Sequence, residues 1–165
     1  MRRSLIVTPA GTNCNLRCDY CYNKSLSITK CSMMSEQVLR RVIETAFLEN
    51  NTRFVWHGGE PLLAGKKFFR KVIQLQEQYG KGKFFVNSIQ TNCTLIDDKW
   101  ARFFVENNFY ISTSIDGNKQ LHDLHRKKAN GTGSYSDVMR GVQTLLNYGC
   151  KRVGVVLVIN KDNVN

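Results

Sequence analysis

The sequence is short of proline, of acidic side chains and of long apolar runs. Two prolines and no low-complexity tract in 165 residues exclude a proline-rich or repetitive fibrous chain. No apolar run approaches the roughly 18 residues that a membrane-spanning helix requires. The opening residues Met1, Arg2 and Arg3 are followed by an apolar stretch too short for a secretory signal. A soluble, cytoplasmic protein without a membrane partner is the expectation. Hydrophobic residues make up 42% and charged residues 22%, which excludes a disordered chain and suits one globular domain with a real core.

Acids are outnumbered. Thirteen Asp and Glu face 24 Lys and Arg, a formal charge of +11. Such a balance fits either an anionic partner or a scattered basic surface. Arg40-Arg41, Lys66-Lys67 and Arg70-Lys71 fall on expected helices and suit solvated faces, and no nucleic-acid motif accompanies them, so nucleic acid is not expected.

What is present is an alternation of two hydrophobic periods. Strands are expected at 4–8, 53–57, 83–90, 109–115 and 153–159. Helices are expected at 35–49, 66–79, 97–107 and 135–148, with Ser35 and Asp97 as N-caps and Gly149 as a stop. In the last helix Val138, Val142, Leu145 and Leu146 form the apolar stripe. The last strand is almost wholly apolar, as in a strand covered on both faces. Five strands alternating with four helices predict an α/β fold with parallel strands. A closed eight-stranded barrel takes roughly 250 residues, so the expectation is a partial (β/α) barrel from a longer protein, with an exposed apolar edge at 155–159. A complete five-stranded flavodoxin-like domain is the alternative.

Sites in parallel α/β folds form where strands end and loops begin. Here the first such loop holds Cys14, Cys18 and Cys21, three of six cysteines. Cys31, Cys93 and Cys150 are isolated, so the pattern is metal chemistry rather than a disulfide framework. Three thiolates in one loop can hold three irons of a [4Fe–4S] cube and leave the fourth open. A zinc knuckle completed by Cys31 or a histidine is the competing reading.

The run Cys14-Asn15-Leu16-Arg17-Cys18-Asp19-Tyr20-Cys21 resembles the signature of the radical S-adenosylmethionine (SAM) enzymes. HGGEPLLAG (57–65), QTNCTLID (90–97), and SIDG (114–117) with HDLHR (122–126) resemble the anaerobic sulfatase-maturating branch and its peptide-modifying relatives. The resemblance runs from about Pro9 to Asn160 and makes residues 1–165 the N-terminal portion of a radical SAM core. It implies a [4Fe–4S] cluster on Cys14, Cys18 and Cys21, and SAM as cofactor. Tyr20 would lie near the adenine. Gly58, Gly59 and the carboxylate of Glu60 would take the methionine ammonium. Ser114 and Arg126 would take the methionine carboxylate, unless Arg126 is merely a solvated member of a basic run with Lys127 and Lys128. Gln90 and Asn92 would line the pocket near the ribose or substrate, and His57 would face SAM or substrate. His122 and His125 would be structural.

The implied activity is oxidation of a Cys or Ser in a sulfatase-like protein or peptide to formylglycine through a 5′-deoxyadenosyl radical. The implied electron donor is a flavodoxin or ferredoxin. Maturation of a ribosomally made peptide is the alternative enzyme reading, and a zinc-binding or inactive module the non-enzymatic one. Cys93 stands where the resemblance calls for glycine, so a positive φ and a thiol near the radical site are expected there. The implied general base lies past residue 165, and no residue of the chain takes that role.

Overall fold

The computed structural model describes residues 3–24, 32–48 and 50–164. Cys31 lies outside them. Five strands form one sheet in the order β1-β2-β3-β4-β5, and every neighbouring pair is parallel. They are β1 (Arg3–Val7), β2 (Asn51–Trp56), β3 (Phe84–Thr91), β4 (Tyr110–Ser114) and β5 (Val153–Val156). Between them run α1 (Glu36–Ala46), α2 (Gly65–Tyr79), α3 (Asp98–Glu106), α4 (Lys119–His125) and α5 (Tyr135–Asn147). Sequential parallel order with helical crossovers is the winding of an open (β/α) barrel segment.

The caps explain where the helices start. The Ser35 hydroxyl accepts from Val38 N, and the Asp97 carboxylate from Trp100 N at 2.7 Å. The short α4 was not expected from periodicity. It begins where the Asn118 side chain accepts from Leu121 N, and at seven residues it is too brief for a clear apolar stripe. On α5 the stripe is narrower than expected: Val138 and Leu145 are buried, but Leu146 is 51% exposed. Gly141 takes the place of a large side chain there, because a β-carbon would meet the Cys93 carbonyl oxygen at 2.1 Å.

The sheet's two faces differ. Phe54, Trp56, Ile89 and Ile111 point towards the helices and are fully or almost fully buried. Phe69 of α2 is the hub, with ring centroids of Trp56, Trp100 and Phe109 at 5.7, 5.6 and 6.3 Å. A buried polar knot fixes α2 on the strands. Asn87 Oδ1 accepts from Trp56 Nε1 and Gln76 Nε2, both at 3.0 Å, and Asn87 Nδ2 donates to Gln76 Oε1 at 2.8 Å. Pairing register puts the alternate residues Arg53, Ser88, Gln90, Ser112 and Ser114 on the other, concave face.

β5 is shorter than expected. The chain leaves the ladder after Val156 because Val158 N is taken by the Asp116 carboxylate at 3.0 Å and Val158 O by Asn163 Nδ2 at 2.8 Å. Val155 and Ile159 are 59% and 68% exposed, so the apolar run forms an edge and is not covered on both faces. No described helix is long and apolar enough to cross a membrane.

Phe69→Ala should lower unfolding free energy by about 3–5 kcal/mol, the usual loss for a large aromatic in a core that cannot collapse. Urea unfolding followed by tryptophan fluorescence checks this.

Candidate functional site

One cavity of about 240 Å³ opens at the carboxyl ends of the strands. Its walls include Cys14, Cys18, Tyr20, Cys21, His57, Gly58, Gly59, Gln90, Asn92, Ser114 and Arg126. Every residue expected at the site is therefore brought to one rim except Glu60 and Cys93. Leu16, Thr91 and Val158 also line it and were not anticipated.

The cysteine loop is held from two sides. On one, Gly59 N donates to Gly11 O at 2.8 Å and Glu60 N to Asn13 O at 2.7 Å. The approach is so close that a β-carbon at Gly59 would lie 2.0 Å from the Asn13 carbonyl oxygen. Gly58 has φ +109, a conformation suited to glycine. The double glycine thus seats the loop as well as facing the cavity. On the other side Arg17 N donates to Lys127 O at 2.7 Å and Asp19 N to His125 O at 3.0 Å.

Cys14, Cys18 and Cys21 are in no disulfide among the described residues and line the same cavity. Leu16 N donates to Cys14 Sγ at 3.4 Å. Desolvation, opposed by that N–H, pushes the Cys14 thiol up to about 11, so binding to iron must displace a proton. Among the described residues no three His, Cys, Asp or Glu side chains gather tightly enough for a single ion. A set of three soft sulfurs spread around one cavity fits a cube, whose irons are separately ligated, better than a zinc knuckle.

Glu60 corrects the sequence reading. Its side chain is fully buried beneath the cavity and does not line it. Oε1 accepts from Leu62 N at 3.0 Å and Thr91 Oγ1 at 2.8 Å, and Oε2 from Asn92 N at 2.8 Å. Burial, against those three bonds, raises its carboxyl to about 7. Its role is to tie the β2 loop to the β3 loop, and direct contact with an ammonium is not what this geometry supports.

Arg126 is not a solvated residue of a basic run. It is 7% exposed, and its Nε and Nη2 donate to Asp116 Oδ2 at 2.7 Å and Oδ1 at 3.1 Å. The Tyr20 hydroxyl donates to the same Oδ2, and the guanidinium lies 5.4 Å from the Tyr20 ring centroid. Asp116 thus fixes both side chains that face the cavity. Asp116 stands within the SIDG run, and no role follows for it from the sequence alone. The available signal was an acid at a strand end with an arginine ten residues on. Burial alone would raise the Asp116 carboxyl, but the Arg126, Tyr20 and Val158 donors outweigh it and hold it below the ordinary value of 3.8.

His122 is structural, as expected. Its Nδ1 accepts from Asp116 N at 3.4 Å, and its Nε2 meets Ser134 Oγ at 3.0 Å, whose own proton goes to Arg126 O. His125 lies 3.0 Å from the Asp162 carboxylate. Cys93 has the expected positive φ, +60, yet it is fully buried and does not line the cavity. Burial pushes its thiol up to about 12, so the expectation of a thiol beside the reactive site is not met.

The profile of the Radical SAM superfamily matches residues 8–165. The chain belongs to the Radical SAM superfamily. A cysteine-type anaerobic sulfatase-maturating enzyme from Clostridium novyi (strain NT) is 38% identical over 96% of this chain and 44% of its own. A serine-type enzyme of the same kind from Bacteroides thetaiotaomicron is 38% identical over 88% of this chain and 37% of its own. The solved structure of native anSMEcpe with bound AdoMet and Cp18Cys peptide superposes with a TM-score of 0.85 at 36% identity, covering 95% of this chain and 42% of that one. The chain thus spans less than half the length of these relatives.

Asp116→Asn should cost about 3–5 kcal/mol near neutral pH, because it leaves a buried guanidinium without its counter-charge. The folded carboxyl titrates below its unfolded value of 3.8. Its contribution is therefore present above that value and lost as pH falls through the folded one. Urea midpoints of wild type and variant should differ widely at pH 7 and converge as the pH is taken below 3.8.

Proposed function

We propose that residues 1–165 are the N-terminal portion of a radical SAM core and carry the cluster- and SAM-binding half of an oxidoreductase of the anaerobic sulfatase-maturating type. The carrying observation is the shared cavity: three cysteines from the first loop face Gly58, Gly59, Gln90, Ser114 and Arg126 from the next three strand ends and loops. Its substrate is a protein or peptide whose Cys or Ser becomes formylglycine. Support for both residue types comes from the cysteine-type and serine-type relatives, each 38% identical.

When bound, a [4Fe–4S] cluster and SAM supply one-electron chemistry and a carbon-centred radical. The chain's own residues bind and orient. Cys14, Cys18 and Cys21 hold three irons. Arg126, oriented by Asp116, keeps guanidinium donors beyond the two bonds to that carboxylate, and with the Ser114 hydroxyl it takes the methionine carboxylate. Tyr20 offers its ring face to the adenine. Gly58 and Gly59 admit the methionine end against the backbone. A soluble electron donor of the flavodoxin or ferredoxin kind, acting in the cytoplasm, is the partner that this reading implies.

Anaerobic reconstitution with iron and sulfide should give a brown chain with about four irons. Cys14→Ala, Cys18→Ala and Cys21→Ala should each abolish this, while Cys31→Ala and Cys150→Ala keep it. Arg126→Ala should weaken SAM binding by roughly ten- to a hundredfold in calorimetry, the loss of one charged hydrogen-bond donor. A colourless chain holding one tight zinc would overturn the reading.

A further inference from the structure

Asn92 has a job that its position in the cavity wall does not explain. Its side-chain amide is turned away from open space and towards the cysteine loop. Nδ2 donates to Asn15 Oδ1 at 2.9 Å and approaches Cys14 Sγ at 3.8 Å, within reach of sulfur as an acceptor. The orientation of this amide is set by chemistry. Oδ1 accepts from the backbone N of Thr94 at 3.0 Å, and a backbone N–H can only donate, so the other terminal atom must be nitrogen. Thr94 Oγ1 also donates to Oδ1 at 2.7 Å, and Asn15 Nδ2 donates to Thr94 Oγ1 at 2.8 Å, which presents Asn15 Oδ1 to Asn92. Below, Glu60 Oε2 holds Asn92 N at 2.8 Å. Every atom that aims the amide is therefore pinned, and one of its two hydrogens is left for sulfur.

We propose that Asn92 is a positioning residue that raises the cluster's electron affinity by donating an N–H to the Cys14 sulfur, with Leu16 N as the second donor to the same atom. This rests on the cluster assignment above. On reduction one electron from an external reductant enters the cluster, no bond is made or broken, and the amide proton stays on nitrogen. The extra negative charge is shared with the thiolate ligands. A hydrogen bond to one of them stabilises the reduced form more than the oxidised form, which shifts the potential upward. The β2 loop thereby reaches the cluster through a relay, from the Glu60 carboxylate to the Asn92 backbone and from the Asn92 amide to Cys14.

The test is an anaerobic dithionite titration of the reconstituted chain, read by the electron paramagnetic resonance signal of the reduced cluster. The variants are Asn92→Asp, which keeps Oδ1 for Thr94 and replaces the donor by an acceptor, and Asn92→Ala, which removes both. At the poise where wild type is half reduced, the reduced-to-oxidised ratio should fall roughly three- to tenfold in Asn92→Ala, the worth of one hydrogen bond. It should fall further in Asn92→Asp. Iron content and the oxidised absorption spectrum should be unchanged. Equal potentials in wild type and both Asn92 variants would overturn the inference, as would loss of the cluster in both variants, which would make Asn92 a loop support only. A wild-type chain that holds no cluster would instead sink the assignment on which the inference rests.

Discussion

One buried carboxylate organises the rim of this molecule. Asp116 follows β4 and accepts from Arg126, Tyr20 and Val158, so it joins the cysteine loop, the end of α4 and the segment after β5. The chain has 24 basic and only 13 acidic residues, so acids are too few to pair one-to-one with the cations. Arg126 is buried because this one acid is buried with it. Desolvating such a pair is costly, and the gain is geometry: a guanidinium and a phenol fixed against a cavity by a shared partner. The same carboxylate also ends β5, because it takes the N–H that a longer ladder would have used.

Glu60 does the corresponding work one loop over. Among the described residues no cation pairs with this carboxylate, which accepts from two backbone N–H groups and one hydroxyl. Those donors are Leu62 N, Thr91 Oγ1 and Asn92 N, so the group joins the loops that follow the paired strands β2 and β3. The double glycine before it allows the cysteine loop to lie against the same backbone. The cavity floor is thus three loops bonded to one another, on a sheet whose aromatic core lies on the far side.

That separation between the two faces is what makes the site possible. The helical face carries Phe54, Trp56, Ile89 and Ile111 packed about Phe69, and so supplies the stability. The concave face carries Arg53, Ser88, Gln90, Ser112 and Ser114, and Arg53 Nε even donates to Ser88 Oγ at 3.3 Å. A strand alternates faces at every residue, so one set of residues can pack while the next offers hydroxyls and amides to a ligand. Where the strands end, that polar set runs directly into the loops that bear the cysteines.

The parallel order and the three-cysteine loop were legible in the sequence by itself, because hydrophobic period and ligand spacing are local properties. So were the Ser35 and Asp97 caps and the positive φ at Cys93, each decided within a few residues. Helix α4 and the early end of β5 were not, since one is too short to show a stripe and the other is set by a side chain 42 residues away. The direction of each polar group was also beyond the sequence. Whether Glu60 faced a ligand or a backbone, whether Arg126 was solvated or paired, and whether the Asn92 amide met a sugar or a sulfur depended on partners distant in the chain. Only the tertiary structure brings Asp116 to Arg126, Thr91 to Glu60 and Asn92 to Cys14, because a polar group in a buried place takes whichever donor or acceptor folding puts beside it.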